Sequence, residues 1–318
     1  MSQSISFLLP VKNVEKYFEN ITANLVSNLE LTDEAIIIDD SSDDNSYSLL
    51  SNWAKTQNGD VKVTRNTGAG LVDALNLGLK LAKYDWIARF DADDVYPCNR
   101  IREQRQHIDV GVAVIFSDYT INHSMKKFSA YVPSAVFDPQ VRISLISGNR
   151  TPHPSALMNK TYVTLVGGYD SNYFPAEDLA LWFKVSGLGS LISVPKNLLN
   201  YYRNTNSVTS LKQAEMIKKK SFILEQMAPQ MISEVFQQRN FITLYRQYRG
   251  VSRASSRRLL LIKDLVLCGK FAIDKKNHYA KLLVMLAFAL FDLRNFWGAG
   301  ALSLAKLKLY FNSVTFPK

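Results

Sequence analysis

Three carboxylates fall within four residues directly after a strand-like segment. Residues 86–90 read Trp-Ile-Ala-Arg-Phe, and Asp91, Asp93 and Asp94 follow almost at once. Crowded carboxylates repel each other unless positive charge lies among them, and a hard divalent cation supplies it because such ions prefer oxygen ligands. In an extended backbone Asp91 and Asp93 point to the same side. The spacing predicts a divalent-metal site at a strand end; for Asp94 taken alone, we expect the N-cap of the next helix.

A second acidic cluster, Asp39 and Asp40, follows the apolar residues 36–38 and precedes Ser41 and Ser42. Carboxylates at the carboxyl end of a strand can accept hydrogen bonds from a ribose hydroxyl or a base N–H. Aspartate and serine also favour the N-cap of a following helix. The residues alone leave these two interpretations open.

A third acidic pair, Glu177 and Asp178, stands at the start of an apolar segment that includes Trp182. Taken alone, the pair is typical of a helix start, where the helix dipole favours negative charge. The glycines at positions 68 and 70 lack both the full dinucleotide fingerprint and a Walker lysine, so they predict a tight turn.

The pattern of apolar residues predicts an α/β fold with a doubly wound, mostly parallel sheet. The first four predicted strands alternate with helices at 14–29, 46–56 and from the glycines at 68–70 to residue 83. Further on we expect a helix at 99–108, a hairpin or irregular loops at 119–132 and a helix at 179–186. The predicted strands are residues 5–9, 35–38, 61–64, 85–90, 112–117, 191–194 and 198–202.

Charge is distributed unevenly along the 318 residues. Residues 1–211 hold 19 basic and 22 acidic side chains, whereas residues 212–318 hold 19 basic and 6 acidic ones. The last third, which we expect to be helical, therefore carries a balance of +13, and the first 211 residues carry −3, within a net charge of +10. An anionic neighbour is expected for it, and a membrane surface fits better than nucleic acid because no nucleic-acid-binding module is recognisable. The alternative is a helical region packed on the core or on a second subunit.

The two cysteines, Cys98 and Cys268, are far apart and have no partner motif, which is typical of a reducing compartment. The first residues enter a short strand-like run without the basic region of a secretory signal, so we expect no such signal. The longest apolar run, residues 282–291, is too short for a bilayer of about 30 Å. We therefore expect a cytoplasmic protein that is peripheral at the inner face of the cell membrane.

Taken together, the segments resemble the family 2 glycosyltransferases, which are inverting enzymes with the GT-A fold. The resemblance covers about residues 4–210, followed by a basic helical region at 211–318 that associates with the membrane in this interpretation. Six motifs occur in the family's order and at its spacing. They are residues 6–13, 38–43, 70–78, 87–94, 97–104 and 176–182.

The resemblance implies a role for each acidic cluster. Pro10, Asp39 and Asp40 would line the nucleotide pocket. Asp91 and Asp93 would form the DxD motif, in which Asp93 holds Mg²⁺ or Mn²⁺ against the donor diphosphate and Asp91 faces the ribose and sugar as well as the metal. These site assignments by resemblance continue with the base and the acceptor. Asp178 would be the catalytic base, with Glu177 and Trp182 on the acceptor side, although a core position is an alternative for Trp182.

The chain departs from the family pattern at Tyr202-Arg203-Asn204-Thr205, where many relatives carry Tyr-Arg-x-His. The family's histidine contributes to the metal or diphosphate site. Thr205 stands in its place here, and His153 is a conceivable substitute, although a loop position is the more ordinary role for a lone histidine beside two prolines. Arg203 would contact the diphosphate, because arginine suits phosphate geometry.

The predicted activity is metal-assisted, inverting transfer of a sugar, a hexosyl or N-acetylhexosaminyl group, from a nucleotide-sugar donor. We expect a UDP-sugar donor and a hydroxyl of a glycan or lipid-linked glycan as acceptor, in biosynthesis of a surface polysaccharide such as O-antigen or capsule. One alternative is a catalytically silent nucleotide-sugar-binding or scaffold protein of a polysaccharide complex. A remoter one is a phosphatase of the haloacid dehalogenase type, whose DxDx(T/V) motif residues 91–95 also fit but which normally follows the first strand.

Overall fold

The computed structural model describes residues 3–66, 70–123, 128–132, 136–147, 151–204 and 208–235. The strands in these ranges are β1 (Ile5–Val11), β2 (Glu34–Asp39), β3 (Asp60–Arg65), β4 (Trp86–Arg89), β5 (Val112–His123), β6 (Phe128–Val132), β7 (Leu157–Asn159) and β8 (Ser190–Arg203). The α-helices are α1 (Phe18–Asn28), α2 (Ser46–Lys55), α3 (Leu71–Leu81), α4 (Arg100–Arg105), α5 (Asp138–Ser147), α6 (Lys160–Leu165), α7 (Glu177–Ser186), α8 (Val208–Leu211) and α9 (Gln213–Val235).

The eight strands form one mixed, mostly parallel sheet in the order β3-β2-β1-β4-β7-β5-β6, with β8 paired to β5. Strands β1 to β4 are parallel to one another, and β7 runs antiparallel between β4 and β5. Strand β8 is parallel to β5. The predicted α/β architecture with a doubly wound, mostly parallel sheet is confirmed.

The central strands are buried along their whole length, as parallel strands covered on both faces must be. Every residue of β1, β2 and β4 is buried, whereas β3 at the sheet edge is largely half exposed. Helix α3 lies very close to β1, because a Cβ on Gly78 would overlap the side chain of Leu8. Any larger residue at this crossing would therefore require the buried Leu8 side chain or the helix to shift.

Three strand boundaries differ from the sequence prediction. Strand β1 continues through Pro10 to Val11. Pro10 faces β4, and the last hydrogen bond between β1 and β4 lies before it, from Phe90 N to Leu8 O. The missing N–H of Pro10 therefore removes no hydrogen bond between the two strands. Strand β5 extends to His123 and forms the predicted hairpin with β6. Residues 190–203 form one strand, β8, where two were predicted.

The start of the first helix also differs. A helix was predicted over residues 14–29, directly after Asn13, but α1 begins at Phe18 after a 3₁₀ turn. Asn13 instead has a positive φ of 52°. Its Oδ1 accepts a hydrogen bond from Asp43 N at 2.9 Å, and its N–H donates to Ser42 Oγ. Asn13 therefore ties the loop after β1 to the loop after β2.

The chain divides into two compact units, residues 1–141 with 150–223 and residues 142–149 with 224–318. In the second unit, Arg142 pairs with Glu234 at 3.2 Å. The predicted domain boundary near residue 210 stays a prediction, and most of the basic region, residues 236–318, lies outside the described residues. None of the helices in the described ranges combines the length and the apolar character that crossing a bilayer requires.

Candidate active site

The predicted acidic clusters lie at one edge of the sheet. Strands β1, β2 and β4 are parallel, so Pro10, Asp39 with Asp40, and Asp91 follow the carboxyl ends of neighbouring strands. Strand β8 runs in the same direction, and Asn204 directly follows its carboxyl end at that edge. Ligands bind at this edge in open α/β sheets.

Asp91 is held by an arginine that the sequence analysis did not assign. Arg89, the last residue of β4, is buried, and its Nη2 donates to Asp91 Oδ1 at 2.6 Å. The backbone N–H of Asp91 donates to the hydroxyl of Tyr96 at 2.8 Å. A charged residue inside an otherwise apolar strand was the signal in the sequence. Arg89 therefore places a positive charge among the crowded carboxylates and bonds to Oδ1 of Asp91, whose side chain is partly exposed.

Asp93 and Asp94 are carboxylates in an environment that disfavours negative charge. Burial, and then the charge of Asp91, raise the pKa of Asp93, although a hydrogen bond from Asn204 Nδ2 at 2.8 Å opposes this shift. Burial raises the pKa of Asp94 well above its ordinary value, with further contributions from Asp91 and Asp93. The local charge of the turn therefore favours a cation beside it.

Asp94 does not cap the next helix, so that expectation was wrong. Helix α4 begins at Arg100, whereas the buried Oδ1 of Asp94 accepts a hydrogen bond from Tyr202 N at 2.8 Å. The carboxylate therefore joins the turn after β4 to the end of β8. Its Oδ2 is buried without a hydrogen-bond partner among the described residues.

Asp39 and Asp40 are buried at the end of β2. Asp40 Oδ1 accepts from Asn66 Nδ2 at 2.8 Å and from Gly70 N at 3.2 Å. Asp39 Oδ2 lies 3.5 Å from Arg65 Nε, and its Oδ1 has no hydrogen-bond partner in the described part of the chain. Neither aspartate caps α2, which begins at Ser46. Both carboxylates are therefore held in place within the protein, Asp40 by two hydrogen bonds and Asp39 by its ion pair with Arg65.

Glu177 and Asp178 form the first turn of α7. Burial, and then the charge of Asp178, raise the pKa of Glu177 to about 7. Asp178 is partly exposed, and its Oδ1 accepts from Leu179 N at 2.7 Å. Burial also raises the pKa of Asp178, whereas the positive charge of Lys220 lowers it. The charge of Asp91 raises the pKa of both carboxyl groups, which places this pair within electrostatic reach of the acidic turn.

The raised pKa of Glu177 predicts a pH-dependent stability. Between its ordinary pKa of 4.5 and about 7, folded Glu177 retains a proton that the unfolded chain has released. The free energy of unfolding should therefore fall as pH rises through this window. Glu177→Gln should remove this decrease with pH, and at pH 7 its free energy of unfolding should exceed that of wild type by about 1–3 kcal/mol. Urea unfolding at pH 4.5, 6 and 7.5 measures this, with Glu19→Gln on the exposed face of α1 as control; parallel profiles for wild type and Glu177→Gln would contradict it.

Trp182 and His153 do not take the roles considered for them. Trp182 is fully buried and packs edge-on against Phe116 and His153, with ring centroids 5.1 and 5.8 Å away. The prediction that it stacks on an acceptor sugar was wrong, since a ring in the core offers no face to a ligand. His153 Nε2 is paired with the hydroxyl of Tyr169 at 2.7 Å, and burial lowers the pKa of its imidazole well below 6.5. His153 is therefore a core residue rather than a substitute ligand.

At the end of β8, the residue that reaches the acidic turn is Asn204. Its Nδ2 donates to Asp93 Oδ2 at 2.8 Å and to the hydroxyl of Tyr17 at 3.2 Å. Arg203 is exposed, and its contact with a diphosphate stays a prediction. Thr205 lies outside the described residues.

The acidic turn fits a divalent cation that is shared with a substrate. Within the described ranges there is no cluster of three or more His, Cys, Asp or Glu side chains arranged to hold a metal. Mg²⁺ is commonly bound by only one or two carboxylates together with substrate phosphates. Asp91 and Asp93 supply such a pair; burial, and then the negative charge of Asp91, raise the pKa of Asp93, and a cation would oppose the second effect.

The fold and the site define a glycosyltransferase of the GT-A class, and comparisons with known proteins agree. The family model described as glycosyl transferase family 2 matches residues 6–160. The UDP-Gal:alpha-D-GlcNAc-diphosphoundecaprenol beta-1,3-galactosyltransferase of Escherichia coli is 28% identical over 196 residues, 57% of this chain and 66% of that protein. These similarities support the predicted family 2 glycosyltransferase.

Solved structures show the same fold. The crystal structure of S. aureus TarS 1-349 in complex with UDP-GlcNAc has a TM-score of 0.59 at 15% identity, covering 92% of this chain and 91% of that one. The mannosyltransferase PcManGT from Pyrobaculum calidifontis in complex with GDP-Man and Mn²⁺ has a TM-score of 0.54 at 16% identity, covering 93% and 83%. At these identities the likeness concerns the fold, and the chain spans just under two thirds of the length of the E. coli relative.

Proposed function

We propose that this protein transfers a sugar, with inversion, from a UDP-sugar to a hydroxyl of a glycan carried on a lipid diphosphate. The observation that carries the proposal is that Asp39 with Asp40, and Asp91, lie at the carboxyl ends of neighbouring parallel strands, with Glu177 and Asp178 within electrostatic reach of Asp91. The E. coli relative's name, which specifies UDP-galactose and a diphosphoundecaprenol-linked acceptor, supports the donor and acceptor classes. A role in surface polysaccharide biosynthesis, such as O-antigen or capsule, follows from that acceptor class.

Donor binding would use the first two acidic sites. Oxygens of Asp39 and Asp40 that make no hydrogen bond within the described part of the protein would accept hydrogen bonds from the uracil N–H and the ribose hydroxyls. Pro10 would line the same pocket. Asp91 and Asp93 would hold Mg²⁺ or Mn²⁺. When bound, such a cation stabilises the negative charge that develops on the leaving diphosphate. Arg89 keeps Asp91 aimed at this position, and Arg203 is the side chain we assign to the diphosphate.

The transfer would use Asp178 as the base. The acceptor hydroxyl oxygen attacks the anomeric carbon as its proton passes to Asp178. The bond from that carbon to the diphosphate oxygen breaks, and the electron pair leaves with UDP. Because attack and departure occur on opposite faces, the configuration inverts. Glu177 lies beside Asp178, and we assign it to the acceptor side as a buried group whose own pKa is raised to about 7 by burial and by the charge of Asp178.

A UDP-release assay tests this function against the alternatives. Wild type with Mn²⁺, a UDP-hexose or UDP-N-acetylhexosamine and a lipid-diphosphate-linked acceptor should release UDP and elongate the acceptor. Donor binding without transfer or hydrolysis, for every donor and acceptor tried, would instead favour a silent binding or scaffold protein. The haloacid dehalogenase alternative is disfavoured, because the acidic turn follows β4 and not the first strand.

The basic region predicts a measurable attraction to membranes. Residues 212–318 carry 19 basic and 6 acidic side chains, and each Lys or Arg near an anionic bilayer contributes about 1 kcal/mol. The full chain should sediment with anionic vesicles at low salt, less with neutral vesicles, and detach as salt rises. Arg253→Glu, Arg257→Glu and Arg258→Glu together should weaken sedimentation while circular dichroism stays unchanged. Equal binding to neutral and anionic vesicles would refute this attraction and favour a packing or oligomerisation role for the region.

A further inference from the structure

Two asparagines on α1 hold the backbone of the acidic turn. Asn20 Nδ2 donates to the carbonyl oxygens of Ala92 and Asp94, both at 2.8 Å. Asn24 Nδ2 donates to the same Asp94 carbonyl at 2.9 Å, and Asn24 Oδ1 accepts from Tyr96 N at 3.1 Å. Four hydrogen bonds therefore connect the side chains of α1 to the turn that carries Asp91 and Asp93.

The spacing in the sequence explains how both side chains reach the turn. Residues four apart lie on the same face of a helix, one turn above the other, so the two amides point towards one short segment of backbone. Asn24 is buried and Asn20 is half-buried. A buried carbonyl requires a hydrogen-bond donor. In the described part of the chain, no strand or helix backbone donates to these carbonyls, and the two asparagine amides donate instead.

The amide is suited to this position, since it donates without carrying charge. A lysine or arginine here would compete with a divalent cation for the carboxylates, whereas an aspartate would add to the crowded negative charge. The neutral amides fix the backbone and leave the charge balance to Arg89 and the ligand. Asn204, which is also a neutral amide, donates a hydrogen bond to the carboxylate of Asp93 itself.

We propose that Asn20 and Asn24 are positioning residues that hold the turn of residues 91–94 in the geometry that binds the donor diphosphate with its cation. The proposal rests on the proposed function. The asparagines would act on affinity for the metal-bound diphosphate, because Asn20 bonds to the backbone between the two carboxylates and both asparagines bond to the backbone just after them. No hydrogen bond among the described residues joins either asparagine to Asp39 or Asp40. Nucleoside recognition at the end of β2 should then be independent of them.

The test compares a double variant with a matched control. Asn20→Ala with Asn24→Ala removes all four bonds. Asn28→Ala removes an equally buried asparagine one turn further along α1, whose amide donates to Asn24 O and Ser27 Oγ inside the helix. Isothermal titration with UDP, with Mn²⁺ and with EDTA, is made at a temperature where circular dichroism shows every variant folded.

The double variant should lose at least about 10-fold in UDP affinity with Mn²⁺, while its affinity in EDTA stays within about 2-fold of wild type. Asn28→Ala should match wild type in both conditions. Affinities of the double variant equal to those of Asn28→Ala would overturn the proposal, and so would an equal loss with Mn²⁺ and with EDTA.

A second measurement needs no ligand and separates this proposal from the function on which it rests. Hydrogen exchange followed by mass spectrometry should show faster exchange at residues 90–96 in the double variant than in Asn28→Ala, with β2 unchanged. If wild type binds no nucleotide at all, the proposed function is wrong, and the exchange then decides the positioning role by itself. Equal exchange of residues 90–96 in the two variants would refute that role.

Discussion

Asp178→Asn is expected to retain donor binding and to lower turnover by at least about 10²-fold, the usual scale for loss of a general base. Asparagine keeps the size and the hydrogen bond from Leu179 N, but it cannot take the proton of the acceptor hydroxyl. Single-turnover rates with Mn²⁺, a UDP-sugar and a lipid-linked acceptor measure the loss. Isothermal titration with the donor checks that binding is intact.

Glu177→Gln provides the matched control at the neighbouring position. Glu177 is buried, and its pKa of about 7 leaves it partly protonated at neutral pH, whereas Asp178 is partly exposed and can meet a hydroxyl. Glu177→Gln should therefore reduce turnover much less than Asp178→Asn. The opposite order, with Glu177→Gln inactive and Asp178→Asn near wild type, would move the base to Glu177.

The pH profile offers a further check on the base. Burial raises the pKa of Asp178, so the ionised form that accepts a proton is reached at a higher pH than for an ordinary aspartate. Turnover should rise with pH through that raised value. Lys220→Met should move the rising limb to higher pH, because the charge of Lys220 lowers the pKa of Asp178.

The parallel half of the sheet could be predicted from sequence, because its signals are local. Strands β1 to β4 are short apolar runs, and each predicted strand lies within two residues of the observed bounds. The carboxyl ends of neighbouring parallel strands share an edge, so the meeting of Asp39 with Asp91 follows from topology. The last strand was harder, because Pro195 and the polar residues around it suggested a break where β8 is continuous.

The partners that hold the site could not be predicted, because they lie far away along the chain. Arg89 is adjacent to the acidic turn, but nothing local shows that Asn20 bonds to residues more than 70 positions later. The same holds for the bond from Tyr202 N to Asp94, which replaced an expected helix cap. Trp182 was misjudged for a related reason: α7 is buried on most of its surface, and periodicity cannot distinguish the face that packs on the core.

Asp93→Asn is expected to have opposite effects on stability and on ligand binding. Without a metal, the half-buried carboxylate beside Asp91 is unfavourable, as its raised pKa indicates, so the neutral amide should stabilise the folded protein at pH 7. The amide oxygen can still accept the hydrogen bond from Asn204, and the turn should keep its shape. With Mn²⁺, the same change removes a charged ligand, so we expect the dependence of UDP affinity on the metal to disappear.

Titration with UDP in Mn²⁺ and in EDTA measures the metal dependence, and urea unfolding without metal measures stability. Wild type should bind UDP at least about 10-fold more tightly with Mn²⁺, and Asp93→Asn should bind equally in both conditions. Asp85→Asn, which makes the same charge change at an exposed residue directly before β4, at the opposite end of that strand, should retain the wild-type difference. Equal affinity of wild type in Mn²⁺ and in EDTA would remove the metal from donor binding. Lower stability of Asp93→Asn would show instead that the carboxylate is stabilised by Arg89 and Asn204 alone, so that the turn needs no cation to balance its charge.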